Sequence, residues 1–373
     1  MLPLEPSPPP VRKKNSSRLA FLDWTRGSAA LVMLQGHVTH AFMRDDLRQQ
    51  APYVLSQFIG GLTPAVFLFL TGITLAFMMD SRQKAGVGAR GVIRHAFKRA
   101  GYLFLLAVAF RVQMWLFAFG FSPWQTMFKV DILNCMAVSV ALLAPMAIFE
   151  TRDRIRFGFI AGLLIACAAP VISLIGFSGV HPFLRAYFVP DANAFPIFPW
   201  GAFVAFGLSA GSVLRIAKEG DYAKVMQWAA MFGIVLIVGA RYFANLPYSL
   251  YPNEDFWLHS PALILIKLGC LYLLTSFAFL WTHHVNPDGW SFVRQLGTTS
   301  LLVYWVHTEL VYGGWLFFWK NGLTAGQCFF LALAVILAMI GLSVARTGWK
   351  GRPGVPERIR ERWREASTAS VPL

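Results

Sequence analysis

Apolar runs of about 20 residues recur along the whole chain, each long enough to cross the roughly 30 Å of hydrocarbon in a bilayer. Few folds accept such a pattern. The chain has 373 residues, of which 56% are hydrophobic and only 14% charged, with a mean hydropathy of +0.54. A soluble domain carries about 25% charged residues to cover its surface. A β-barrel would show shorter segments of alternating polarity. The pattern therefore predicts an all-α polytopic membrane protein with ten transmembrane helices in one bundle. The expected spans are roughly 19–42, 54–79, 94–119, 130–149, 157–176, 197–215, 224–243, 258–281, 297–319 and 324–345.

The expected domain is thus 19–345. Before it, 1–18 is a Pro-rich and then basic stretch expected to be a disordered tail, with no apolar core of a signal peptide; after it, 346–373 is expected as a basic tail. Most of the 33 Lys and Arg residues fall in the N-tail, the loops near 80–99, 150–156 and 215–224, and the C-tail. These segments alternate with poorly basic ones. The positive-inside rule then puts both termini in the cytoplasm. The net charge of +15 is read as a topology signal. Basic residues spread over alternate loops make no nucleic-acid surface. Cys135, Cys167, Cys270 and Cys328 lie in apolar runs, fit no metal-ligand spacing and are expected as core residues. No metal site is expected.

Ionisable side chains inside spans are costly and usually face a protein-lined or wet cavity. Here they are Asp23, Arg26, His37, His40, Arg111, Asp131, Lys267, His307 and Glu309. Asp23 and Arg26 are three apart and can pair. Arg26 and His37 are eleven apart, which is three helical turns plus about 20°, so they share one stripe about 16 Å long. His40 falls close to the same stripe. Arg111, Asp131, His307 and Glu309 are expected at depths similar to that of His37. Lys267, alone in its helix, reads as a snorkelling or paired lysine. The reading is a cavity with a basic cytoplasmic mouth (Arg26, Arg94, Lys98, Arg99) and an outer end of histidines and carboxylates. A long anionic molecule with a reactive tip, such as an acyl-CoA, suits that shape.

The stretch "LDWTRGSAALVMLQGHVTH" has an arginine, ten residues, then a histidine. It is similar to the signature of integral-membrane acyltransferases of the O-antigen acetylase type. "LTPAVFLFLTGITLAF" (62–77), "DILNCMAVS" (131–139) and "FPIFPWGAFVAFG" (195–207) resemble the heparan-α-glucosaminide N-acetyltransferase-related branch. "LGTTSLLVYWVHTELVYG" (296–313) resembles a late segment that recurs in both. The resemblance implies transfer of an acyl group, usually acetyl, from cytoplasmic acyl-CoA to a sugar-like acceptor on the outer side. It implies that His37 is the family's histidine and Arg26 the arginine of its motif. Where the lysosomal branch has a histidine followed by Trp-Asn-Gly after its first helix, this chain has "RDDLRQQAPYVLSQ", which leaves His37 as the candidate base.

The expected chemistry has four parts. His37 removes the acceptor proton. Asp131 or Glu309 orients an imidazole, and His307 is a further catalytic candidate at similar depth. Arg26, Arg94, Lys98, Arg99 and Arg111 hold the donor. His40 and Trp200 contact the acceptor. A covalent acyl-histidine relay is the alternative route. The long outer segments 177–196 and 243–258 mix aromatic and polar residues that suit either a sugar or the membrane interface. A proton-coupled transporter or exporter is the competing function, since Asp, His and Glu within spans also serve proton coupling; Gly60, Gly61 and Gly72 interrupt the second span. A membrane scaffold is a third reading and leaves the buried charges unexplained. The expected location is a bacterial inner membrane.

Overall fold

The computed structural model describes residues 19–120, 122–252, 254–285 and 290–350. The expected tail 1–18 and everything beyond 350 lie outside the described residues. Thirteen helices are named here: α1 Ala20–Phe42, α2 Ala51–Gly60, α3 Thr63–Lys84, α4 Ala89–Leu116, α5 Ile132–Leu143, α6 Thr151–Ile175 and the short α7 Pro182–Arg185. They continue with α8 Ile197–Ile216, α9 Tyr222–Ala244, α10 Pro261–Leu280, α11 Phe292–Thr298, α12 Ser300–Tyr312 and α13 Ala325–Lys350. Among the described residues there is no β-strand, only a one-residue bridge between Met43 and Leu323.

Among the described residues seven helical segments are long and apolar enough to cross a membrane. They include α2–α3 together, the α5 region, α6, α8, α9, α10 and α13. The expected spans that fall outside this set coincide with α1, α4 and the α11–α12 pair, whose polar or charged residues lower their hydropathy. The chain is an all-α multi-pass membrane protein. Helix α13 runs on through 346–350, positions the sequence assigns to the tail.

Two of the expected spans are each built from two named helices. The α2–α3 break falls at Gly61, as expected there, but α3 continues unbroken through Gly72. Gly72 serves close packing instead: a Cβ there would collide with the Val204 carbonyl of α8, and one on Gly207 would collide with the Phe69 carbonyl of α3. Small residues at such crossings let backbones approach where lipid supplies no hydrophobic drive. The second break, between α11 and α12, falls at Thr299. Gly27 of α1 and Gly297 of α11 make the same kind of crossing, each against the other helix's backbone.

Helix α1 joins two apolar cores. Phe21, Leu22 and Ala29 pack with α3–α10 residues such as Leu68, Phe203 and Leu268. Leu34, Val38 and Phe42 pack with Leu296, Val303, Cys328 and Val335 of α11–α13. The C-terminal end of α1, the outer end in the orientation the sequence predicts, is tied down by backbone hydrogen bonds: Leu323 N–H donates to Phe42 O at 2.9 Å and Arg44 N–H to Leu323 O at 3.0 Å. The remaining face of α1 looks into a cavity.

A cavity with two imidazoles at its outer end

The cavity is about 720 Å³. From α1 it takes Arg26, Met33, Gly36, His37 and His40, which is the stripe that the eleven-residue spacing predicts. From Arg26 to His40 the stripe climbs 14 residues, about 21 Å. The end at the N-terminus of α1, the cytoplasmic end in the orientation the sequence predicts, is lined by Arg26, Thr71, Thr74 and Arg99. Arg26 pairs with the buried Asp23 at 3.1 Å, and Arg99 donates through Nη2 to Thr74 Oγ1 at 2.7 Å. Trp200, in the first turn of α8, and Lys267, in the second turn of α10, also line the cavity.

At the outer end His37 meets His307 of α12. His37 Nδ1 and His307 Nε2 are 3.0 Å apart, and the rings stack at a centroid distance of 5.2 Å. The other nitrogen of His307, Nδ1, lies 2.6 Å from the Val303 carbonyl oxygen one turn back. A carbonyl only accepts, so His307 Nδ1 carries the proton. In the neutral imidazole Nε2 is then an acceptor. His37 Nδ1–H must be the donor across the 3.0 Å contact, and His37 Nε2 is left bare. The chain of hydrogen bonds therefore fixes the tautomer of the cavity-facing histidine. His307 itself is fully buried. Tyr312 packs edge-on against His37 and shares a 3.3 Å hydrogen bond with His40 Nδ1.

The other expected residues divide. His37, His40, Arg26, Arg99 and Trp200 share the cavity wall. Arg94 and Lys98 are exposed on α4 and are not among the lining residues. Asp131 is the N-cap of α5: its Oδ1 accepts from the N–H groups of Leu133 and Asn134, and the Asn134 side chain returns a bond to Asp131 N–H. Its Oδ2 sits 3.2 Å from Arg111 Nε in an ion pair. Asp131 and Arg111 thus hold each other and the start of α5. Glu309 accepts from Trp315 Nε1 at 3.3 Å and Gln113 Nε2 at 3.5 Å. Neither carboxylate is hydrogen-bonded to an imidazole; that position belongs to His307 and the Val303 carbonyl.

Two carboxylates escaped the sequence reading. Asp191 and Asp255 lie on the outer loops and line the cavity, with Trp257 beside them. Each caps its own turn through Oδ1, from Asn193 N–H in one case and from Trp257 and Leu258 N–H in the other. Each keeps its second oxygen free of hydrogen bonds among the described residues. The mixed aromatic and polar character of these loops was the available signal. Among the described residues no group of His, Cys, Asp and Glu could hold a metal ion.

Residues 18–245, well over half of the chain, match the family described as heparan-alpha-glucosaminide N-acetyltransferase, catalytic. No curated protein matches the chain. The matched stretch contains α1 with Arg26 and His37, the α2–α3 break, Arg99 and the capped start of α5. The chain belongs to the heparan-alpha-glucosaminide N-acetyltransferase catalytic family, a family of membrane acetyltransferases.

Proposed function

We propose that the chain moves an acyl group, acetyl above all, from cytoplasmic acyl-CoA to an amine or hydroxyl of a sugar-like acceptor on the outer side of a bacterial inner membrane. The observation that carries this reading is the bare Nε2 of His37 at the outer end of a cavity whose cytoplasmic end is lined by Arg26 and Arg99. The arginines suit the donor's phosphates, for which guanidinium is well shaped. The donor's arm then runs along the α1 stripe toward His37. Trp200 and Trp257 offer aromatic faces to a sugar ring, and Asp191 and Asp255 offer acceptors to its hydroxyls or ammonium.

In the transfer His37 Nε2 takes a proton from the acceptor as its nitrogen or oxygen attacks the thioester carbon. The tetrahedral adduct collapses, the C–S bond breaks, and the thiolate recovers the proton. While His37 is cationic, its Nδ1–H bond to His307 Nε2 becomes charge-assisted and stronger. His307 therefore acts as a positioning residue that also stabilises the transient imidazolium. The same Nε2 is placed to act as a nucleophile. Ping-pong kinetics would mark that route.

The test is acetyl-CoA binding and release of free CoA thiol by purified wild type and His37→Ala. Binding in both with thiol release lost in the variant supports the reading. Near-full release by folded His37→Ala removes His37 from the chemistry. A wild type that neither binds acetyl-CoA nor releases thiol turns the reading toward transport, since broken spans like α11–α12 also form substrate sites in transporters.

A further inference from the structure

The transfer described above leaves Lys267 without a task. It stands on α10 six residues below Pro261, about 9 Å from the outer end, while His37 stands five residues below Phe42, about 8 Å from the outer end of α1. Both line the same cavity. Arg26 and Arg99, which suit the donor's phosphates, lie toward the other end; Arg26 is about 16 Å from His37 along α1. Trp24 of α1 packs against Phe277 of α10; counted from that contact, Lys267 stands about 15 Å and His37 about 20 Å along their helices, so the two are at nearly one level.

Its charge is unanswered. Among the described residues no carboxylate pairs with Lys267, and its ammonium makes no hydrogen bond. Nζ lies 4.8 Å from the centre of the Trp200 ring, a contact that holds a cation against the aromatic face but leaves N–H donors unused. A cation so deep in a membrane protein is costly, and such residues mark functional sites.

A second source of positive potential opens on the same space. Helix α3 starts at Thr63, and Leu62 before it supplies no side-chain cap. The first N–H groups of a helix have no partner within it and form the positive end of its dipole. Thr63 and Pro64 line the cavity. Thr63 is only 5% exposed, and its Oγ1 has no hydrogen-bond partner among the described residues. A half-buried ammonium, an uncapped helix start and an uncommitted hydroxyl thus share the cavity with the base.

We propose that Lys267 is the oxyanion donor of the transfer, a catalytic residue backed by the α3 N-terminus. The proposal rests on the acyl-CoA reading. As the acceptor's lone pair attacks the carbonyl carbon, the C=O π pair moves onto oxygen, which accepts a hydrogen bond from Lys267 Nζ. His37 Nε2 takes the acceptor's proton. The oxygen pair then returns, C=O re-forms, the C–S bond breaks, and the leaving thiolate takes the proton from His37. No charge is gained or lost, and no further reactant is needed. Donors placed where charge develops act most strongly in a water-poor site.

The experiment measures thiol release from acetyl-CoA, with glucosamine as probe acceptor and water as the default one, and CoA binding by calorimetry. The proteins are wild type, Lys267→Met and Lys267→Arg, with Lys267→Gln in place of Met if that variant does not fold. Loss of the donor should lower kcat by about 10²–10³-fold. CoA affinity and the glucosamine KM should stay within about threefold, since a contact made only in the transition state leaves binding alone. Lys267→Arg should recover part of kcat. An unchanged kcat overturns the proposal. So does a loss confined to CoA affinity, which would assign Lys267 to the phosphates, or a rise confined to the glucosamine KM, which would assign it to the acceptor. A wild type that neither binds CoA nor releases thiol shows instead that the acyl-CoA reading has failed, before any substitution is made.

Discussion

Two buried polar clusters sit at opposite ends of the bundle, and they differ in what they leave unsatisfied. At the cytoplasmic end Asp80 of α3 accepts from Arg215 Nε of α8 at 2.6 Å, from Lys84 Nζ at 3.0 Å and, on its other oxygen, from Thr151 Oγ1 of α6 at 3.0 Å. Thr151 Oγ1 in turn accepts from the fully buried Arg154 at 2.6 Å. Both oxygens of the carboxylate are used and three helices are joined, while Arg154 keeps Nε and Nη1 without a hydrogen bond among the described residues. At the outer end His37 uses one nitrogen to reach His307 and turns the other into a cavity. A carboxylate with all its partners fixes helix positions. A ring with one side anchored and the other bare is arranged to meet something that is not part of the chain.

The sharpest break in this comparison is expected at His37. Replacing it with Ala should slow acyl transfer by about 10²–10⁴-fold, the usual contribution of a positioned base. CoA binding should survive, because the arginines at the other end are untouched. If thiol release and CoA affinity fell together, the outer end would be part of the donor's binding site, and the contrast between an anchored cluster and a reactive one would lose its force.

His307 tests the anchoring itself. His307→Ala removes the acceptor for His37 Nδ1–H and should slow transfer about ten- to a hundredfold, in line with the loss of an orienting partner behind a functional histidine. His307→Gln can place Oε1 near the position of the missing Nε2 and should retain more activity than Ala. Equal losses in the two variants would say that His307 fills space and does not set the tautomer. The readout is kcat, with the thermal midpoint measured in parallel to separate packing from positioning.

For the Asp80 cluster the two readouts should exchange roles. Asp80→Asn withdraws the charge that Arg215 and Lys84 answer, in a carboxyl only 3% exposed. Unfolding free energy should fall by about 1–3 kcal/mol, the cost of leaving buried partners unmade. The rate per folded molecule should not change. Arg215 and Lys84 are themselves 31% and 61% exposed in their side chains, so water softens the loss. A fall in kcat with no fall in the thermal midpoint would make the cytoplasmic cluster functional as well.

The spans and the α1 stripe were legible because they depend on local periodicity: a run of about 20 apolar residues and a spacing of eleven survive any tertiary arrangement. What rotates a helix about its own axis is not local. His307 and Glu309 are two residues apart and at one depth, yet only His307 reaches His37; Glu309 turns toward Trp315 and Gln113. Asp131 carried a readable signal, an Asp followed three residues later by Asn at a helix start, which is a capping pattern. Asp80 lies one residue beyond the expected span 54–79, so it is not among the ionisable residues read inside spans. Asp191 and Asp255 lie on loops whose approach to the cavity depends on the whole bundle. The break at Thr299 had its hint in the "TTS" run, a cluster of residues whose side chains compete with the helical backbone.

Glu309 gives the smallest expected effect and the finest test of the comparison. It is buried, two residues from His307, and a carboxylate at that depth is a natural candidate to orient the imidazole pair. Its partners argue otherwise: both oxygens accept from groups that belong to the α4 and 313–324 side of α12, and Lys320 nearby holds the Tyr312 and Gly313 carbonyls at 2.9 Å. Glu309 therefore resembles Asp80 in kind, although it lies at the reactive end. Glu309→Gln keeps the shape and one acceptor oxygen, so it should cost about 1 kcal/mol of stability, the worth of one ordinary hydrogen bond. Transfer should stay within about twofold of wild type, since no bond to His37 or His307 is lost. A hundredfold loss of kcat with an unchanged thermal midpoint would mean that the charge of Glu309 acts on the imidazole pair through space. Position in the bundle, and not the saturation of partners, would then be what separates the two kinds of cluster.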